Sequence, residues 1–224
     1  MTAVIESGAA PGERYDAYVT RAEIRGKSGD YQGAVDDLTA AIGIDPNIAA
    51  THAARGMNYL SLNEWEMALA DADKALSLGD RELVGSISFV RATALMALRR
   101  FEEALAAAAR VPQSDPRYVA ARYVRGSAFD SLGHRRRALR EFNLVVKNDP
   151  TYRDVWISRG EVLLALDRAE DALFDFDMAL RLNPLEDAAK IHKLRGDALA
   201  ILSRTEEAQE AYRRAQEAER QAAQ

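Results

Sequence analysis

An arginine followed at once by glycine or alanine, with an alanine thirteen residues after the arginine, recurs through most of this 224-residue chain. The marks fall at Arg21, Ala22 and Ala34; at Arg55, Gly56 and Ala68; and at Arg91, Ala92 and Ala104. They return at Arg125, Gly126 and Ala138; at Arg159, Gly160 and Ala172; and at Arg195, Gly196 and Ala208. Around each mark the apolar residues keep helical spacing. The clearest copy, residues 153–186, sets Trp156, Gly160, Leu163 and Leu164 on a first helix. After Asp167 and Arg168, a second helix carries Ala172, Leu173, Phe176, Ala179 and Leu180, and Pro184 stops it. Two amphipathic helices of about three turns each cannot cover their own apolar faces, so such a unit is stable only when stacked on copies of itself. The glycine or alanine beside each arginine marks where the two helices of a unit touch, because a larger side chain would hold their backbones apart.

Further marks sharpen the unit. Pro46, Pro116, Pro150 and Pro184 close second helices, and Tyr31, Trp65 or Phe101 opens them. A period of 34 residues with these small residues, aromatic openers and closing prolines resembles the tetratricopeptide repeat, over about residues 15 to 222. The family more often carries leucine where this chain has its arginine, and the arginine-glycine form resembles a variant common in bacterial members. The resemblance implies an all-α, right-handed superhelical solenoid of six helix hairpins with a C-terminal capping helix, and a protein that binds other proteins. The repeats are expected at about 15–48, 49–82, 85–118, 119–152, 153–186 and 189–222, as one domain over 15–224, after a flexible lead-in over residues 1–14.

Departures from the period carry information. In the first unit Arg25 stands where later units have a large apolar residue, as suits a solvent-facing end cap. The second unit lacks a closing proline and is expected to end at Gly79-Asp80. Two extra residues precede both the third and the sixth unit, so residues 49–118 and 153–222 align at a constant offset of 104, which suggests a duplicated triplet.

Composition narrows the function classes. The net charge of -5 gives no overall attraction to nucleic acid or an anionic membrane. Arginines do gather at the turns, at Arg99, Arg100, Arg135, Arg136, Arg137, Arg168 and Arg204, without aromatic interleaving, so a solvated edge is expected rather than a nucleic-acid surface. Cysteine is absent, which excludes disulfides and thiolate chemistry and fits a reducing compartment. No basic segment precedes an apolar run at the start of the sequence, and no stretch approaches the roughly 20 apolar residues a membrane span needs. A cytoplasmic protein without membrane insertion is expected.

Sixteen residues after Arg21, Arg55, Arg125 and Arg159 stand Asp37, Asp71, Glu141 and Asp175, and an ion pair across each hairpin is expected. Arg91 and Arg195 lack that acid because Ala107 and Ala211 replace it. Either Asp71 and Asp175 of the preceding units serve them, or they reach an acidic group or C-terminal carboxylate of a partner. The first-helix faces not used in stacking present Ala53, Met57, Leu60, Phe89, Thr93, Met96, Tyr123, Ser127, Asp130, Ile157, Glu161 and Leu164. By the resemblance they line the inner curve, a groove suited to a peptide or helix, with Met57, Phe89, Met96, Tyr123 and Ile157 as anchors.

Nothing in the sequence suggests an enzyme, a cofactor or a metal. His52, His134 and His192 lie far apart, no paired histidines take helical spacing near a carboxylate, and neither a phosphate-cradling glycine loop nor Gly-x-Ser-x-Gly occurs. The expected function is therefore a non-catalytic adaptor or scaffold that binds a protein or peptide partner. The alternative is a structural protein whose repeat surface makes a homo-oligomer.

Overall fold

A computed structural model describes residues 9–223, and among them all regular structure is helical. The helices are α1 (Pro11–Lys27), α2 (Tyr31–Ile44), α3 (Ala49–Ser61), α4 (Trp65–Ser77), α5 (Val84–Ala97), α6 (Phe101–Ala108), α7 (Tyr118–Ser131), α8 (Arg135–Asn148), α9 (Arg153–Leu164), α10 (Ala169–Leu182), α11 (Ala188–Ile201) and α12 (Thr205–Ala222). The chain forms two compact units that divide within α7, Met1–Val124 and Arg125–Gln224. In the N-terminal unit α1 packs on α2, α3 on α4 and α5 on α6, while α2 also meets α3 and α4 meets α5. In the C-terminal unit α9 packs on α10 and α11 on α12, with α8 against α9 and α10 against α11.

One local device turns every hairpin. The residue eight positions after each recurrent arginine takes a left-handed backbone: Gly29, Asn63, Arg99, Gly133, Asp167 and Ser203, with φ between 59° and 85°. The next residue then donates its N–H to the carbonyl five positions back, as in Asp30 to Arg25 and Arg204 to Leu199, both at 2.9 Å. That bond occupies a carbonyl the first helix leaves open and reverses the chain. Only two of the six positions are glycine, so four side chains accept a conformation that glycine takes without strain. Gly79, just past the end of α4, is also left-handed, at φ 79°, where the sequence is expected to end that helix.

The beginning of the chain differs from expectation. Helix α1 starts at Pro11, inside the segment read as a flexible lead-in over 1–14, and residues 1–8 of that segment lie outside the described residues. Proline suits the first helical turn, because its fixed φ fits and its missing N–H would have no helical partner there.

The small residue beside each arginine does two different jobs. In the C-terminal unit a Cβ on Gly160 would stand 2.5 Å from the Phe176 ring, one on Gly196 2.5 Å from the Tyr212 ring, and Gly126 is filled likewise by Phe142. Phe142 and Phe176 are almost wholly buried, so each glycine is the socket of an aromatic from the second helix. In the N-terminal unit the matching second-helix residues are Leu38, Ala72 and Ala108, and the space over Gly56 is taken by Val90, Ala68 and Asp71. There the helices close by backbone approach rather than by ring insertion. Helix α6 is only eight residues long and buries Ala104, Ala107 and Ala108. At the other extreme α12 buries only Ala208, Ala211 and Ala215 and laces its outer face with Arg213–Glu210, Arg213–Glu217 and Arg214–Glu210 pairs.

Contacts repeat at the 104-residue offset. His52 Nε2 lies 3.0 Å from the Pro46 carbonyl oxygen, and Trp156 Nε1 donates to that of Pro150 at 2.9 Å. Arg55 Nη1 donates to Thr39 and Arg159 Nη1 to Asn143, at 3.0 and 2.9 Å. Different residue types thus fill the same bonding positions.

Candidate functional site

The recurrent arginines form a ladder of bonds between helices. Arg21 donates from Nε to Asp37 at 2.8 Å and from Nη2 at 2.5 Å, and Arg25 adds a third bond to Asp37 at 2.9 Å. Arg55 grips Asp71 with two bonds of 2.8 Å, and Arg159 grips Asp175 with bonds of 2.8 and 2.7 Å. Arg125 Nη2 lies 3.0 Å from Glu141. Asp37, Asp71, Glu141 and Asp175 are all buried. Burial pushes the Asp175 carboxyl above its ordinary value, while the Arg159 hydrogen bonds pull the other way.

Arg91 and Arg195 do not take the expected acids. Arg91 Nε donates to Asp73 and Arg195 Nε to Asp177, each at 2.7 Å. Asp71 already accepts both bonds from Arg55, with His52 Nδ1 3.2 Å away, and Asp175 accepts both from Arg159. The acid two residues further on, more exposed, is the one within reach. Both arginines are thus paired inside the fold.

The apolar face resolves unit by unit. In the N-terminal unit Ala53 and Met57 line an open trough of about 700 Å³ between α1 and α3. Val19, Ala22 and Gly26 of α1 form one wall, Ala50, Ala54 and Asn58 of α3 the other, with Tyr31 and Leu38 of α2 below. At one end stand Tyr15, hydrogen-bonded to Thr51, together with Ser86 and Arg117; at the other lie Glu23, Lys27 and Ser61. Leu60, Phe89, Thr93, Met96 and Tyr123 are half-buried residues of this unit that do not line the trough. Reading the first hairpin as an end cap hides its contribution. The signal was present in the repeat offset, since Val19 and Gly26 stand 34 positions before Ala53 and Leu60.

The C-terminal unit offers a different face. Ile157, expected as an exposed anchor, is buried, because its helix is covered by α8, α10 and α11. Glu161 is paired with Lys190 at 3.0 Å, and Ser127 and Leu164 are half-buried. The Asp130 carboxyl is pushed up first by burial and then by the charge of Glu161, against the pull of Arg135. This face is one of matched charges.

The histidines stay separate. His52 is buried between Asp71 and the Pro46 carbonyl, His134 is exposed at a turn, and His192 lines a hollow with Leu185, Ala188 and Arg214. Burial, Arg214 and Arg195 lower the His192 pKa. Among the described residues no group of three histidine, aspartate or glutamate side chains could hold a metal ion, and no helix is long and apolar enough to cross a membrane. Three of the seven turn arginines are matched by carboxylates: Arg100 with Glu103, Arg168 with Asp171 and Arg204 with Glu207.

Successive helix hairpins with an open apolar trough define a helical-repeat interaction protein. Models described as tetratricopeptide repeat match residues 89–133 and 123–187, and in a second form 15–48 and 189–221; the chain belongs to the tetratricopeptide repeat family. No curated protein sequence matches it. Among solved structures, PilF of Pseudomonas aeruginosa superposes with a TM-score of 0.75 at 19% identity, over 90% of each chain. MamA of Desulfovibrio magneticus RS-1 gives 0.66 at 20% identity, over 80% of this chain and 99% of its own. YrrB, described as a TPR protein with an unusual peptide-binding site, gives 0.61 at 23%, over 83% and 93%. At these identities the likeness is one of fold.

Proposed function

We propose that the chain is a non-catalytic protein-interaction module, six repeats of the arginine-glycine variant, that takes an apolar segment of a partner protein in the trough between α1 and α3. The observation that carries this reading is the trough itself: about 700 Å³ of open space whose lining surface is mainly apolar. The fold shared with YrrB, whose description names a peptide-binding site, supports it. Ala54 is exposed on the trough wall, so Ala54→Arg fills the space while leaving the core intact. Proteins recovered with the wild-type chain from its native source, compared with those recovered with Ala54→Arg, test the reading. Loss of a partner with the variant is expected, and unchanged recovery overturns it.

A second reading, self-association, is favoured by the large apolar residues that the C-terminal unit exposes. Leu185 is 82% exposed, Ile201 60% and Phe174 56%. Light scattering over a range of concentrations decides it. A mass that stays at one chain throughout removes this reading, whereas a dimer abolished by Leu185→Ser with Ile201→Ser supports it.

A further inference from the structure

Resting on the reading of the trough as a docking site, we propose that its occupant is an amphipathic α-helix of a partner protein, lying antiparallel to α1 and α3 with a negatively charged C-terminal end at Arg117. The walls are helices, so their backbone groups already bond within α1 and α3. Several polar side chains along the trough are engaged too. The Tyr15 hydroxyl is bonded to Thr51, Lys27 donates to Glu23 at 2.6 Å, and Asn58 Nδ2 donates to the Ala54 carbonyl at 2.8 Å.

An extended peptide laid here would bring an N–H and a carbonyl every ~3.3 Å with no ladder to meet them. Each such group, shut away from water, is left without a partner. A helix satisfies its own backbone and needs from the trough only apolar contact and room. Room is what the small residues leave: Ala22 and Gly26 on one wall, Ala50 and Ala54 on the other, let a third axis come to ~8–10 Å. The 13 residues of α3 make walls of about 20 Å, the length of three to four turns of a partner helix.

Charge sets the direction. Tyr15, Thr51 and Ser86 lie near the starts of α1, α3 and α5, so that end of the trough collects the positive ends of helix dipoles. Arg117 adds a full charge there, with its closest carboxylate contact 3.7 Å away at Asp115. The far end gathers the C-termini of α1 and α3, with the Glu23–Lys27 pair cancelling locally. The negative end of a bound helix therefore belongs at Arg117.

Display selection from a library of random 16-residue linear peptides against the whole chain tests this, followed by fluorescence anisotropy and NMR of the selected peptides. Expected are sequences with apolar residues spaced three and four apart, free of internal proline, that become helical when bound. Ala54→Arg, or the equally exposed Ala50→Arg, should weaken them at least about tenfold. Arg117→Glu should weaken peptides ending in acids and favour their lysine-ended counterparts. Selected peptides that bind in the trough with alternating apolar residues or internal prolines, and stay extended, overturn the helical occupant while the trough reading stands. Tight binding that ignores both alanine-to-arginine variants, each shown folded by circular dichroism, overturns both readings. Loss of affinity in Arg117→Glu regardless of the charge at the peptide's end overturns the assigned direction.

Discussion

At the scale of single residues, the ladder of arginines contains two kinds of ion pair that look alike in sequence. Arg55 and Asp71 are both largely shielded, with 16% and 6% of their side chains exposed, whereas Asp73, the acceptor of Arg91, is 52% exposed. Removing a carboxylate from the shielded pair leaves a guanidinium with nothing to replace the lost charge, and water reaches it poorly. Asp71→Ala is therefore expected to cost about 3–5 kcal/mol in urea unfolding. Asp73→Ala should cost less than about 1 kcal/mol, since solvent already screens that pair. Similar losses for the two variants would show that burial does not set the strength of these bonds. The sequence named the arginines and the acids sixteen residues on, but spacing alone did not separate Asp71 from Asp73 as the acceptor for Arg91. In the fold Asp71 is held by Arg55 and His52, and Arg91 reaches Asp73 instead.

At the scale of the helix pair, the glycines of the repeat separate into sockets and close approaches. Gly160→Ala drives a methyl group into the buried Phe176 ring and is expected to destabilise the C-terminal unit by about 1–3 kcal/mol. Gly56→Ala meets its nearest neighbours at 3.2–3.4 Å and also gains helix propensity, so it should stay within about 1 kcal/mol of wild type. Thermal melts of the two variants check the ranking. The α11–α12 pair carries a pH dependence through His192. Its folded pKa lies below the ordinary value, held down by burial, Arg214 and Arg195 and raised only by Asp177. The unfolded chain thus takes up a proton that the folded chain refuses. The stabilising contribution is complete above about pH 6.5 and is lost as pH falls through that value toward the lowered folded pKa. Urea midpoints measured between about pH 8 and pH 5 should show this decline in wild type, and His192→Gln should flatten it.

At the scale of the whole chain, composition and site chemistry point the same way. The net charge is -5 and three of the seven turn arginines are answered by neighbouring carboxylates, while the trough is mainly apolar. Peptide binding in the trough should change by less than about threefold across a roughly tenfold rise in salt, because little counterion release accompanies apolar contact. Duplex DNA should not be retained at physiological ionic strength. Steep salt-dependent binding of DNA, abolished by changing Arg135 and Arg136, would reverse that conclusion.

The sequence by itself determined the hairpin and its repetition. Helical spacing follows from 3.6 residues per turn, small residues are required wherever backbones meet, and the 34-residue period repeats both, so local chemistry suffices to read them. It also showed the matching register of residues 49–118 and 153–222, which the contacts of His52 and Trp156 reproduce in space. Only the tertiary structure decided which faces stay open. Ile157 and Ala53 occupy equivalent repeat positions and are about equally buried, yet Ile157 is covered by neighbouring helices while Ala53 sits in the wall of a trough. A residue's place on its own helix is set within a few turns of chain, but its exposure depends on how closely neighbouring hairpins approach. That approach is fixed by the volumes of side chains brought together from distant parts of the sequence.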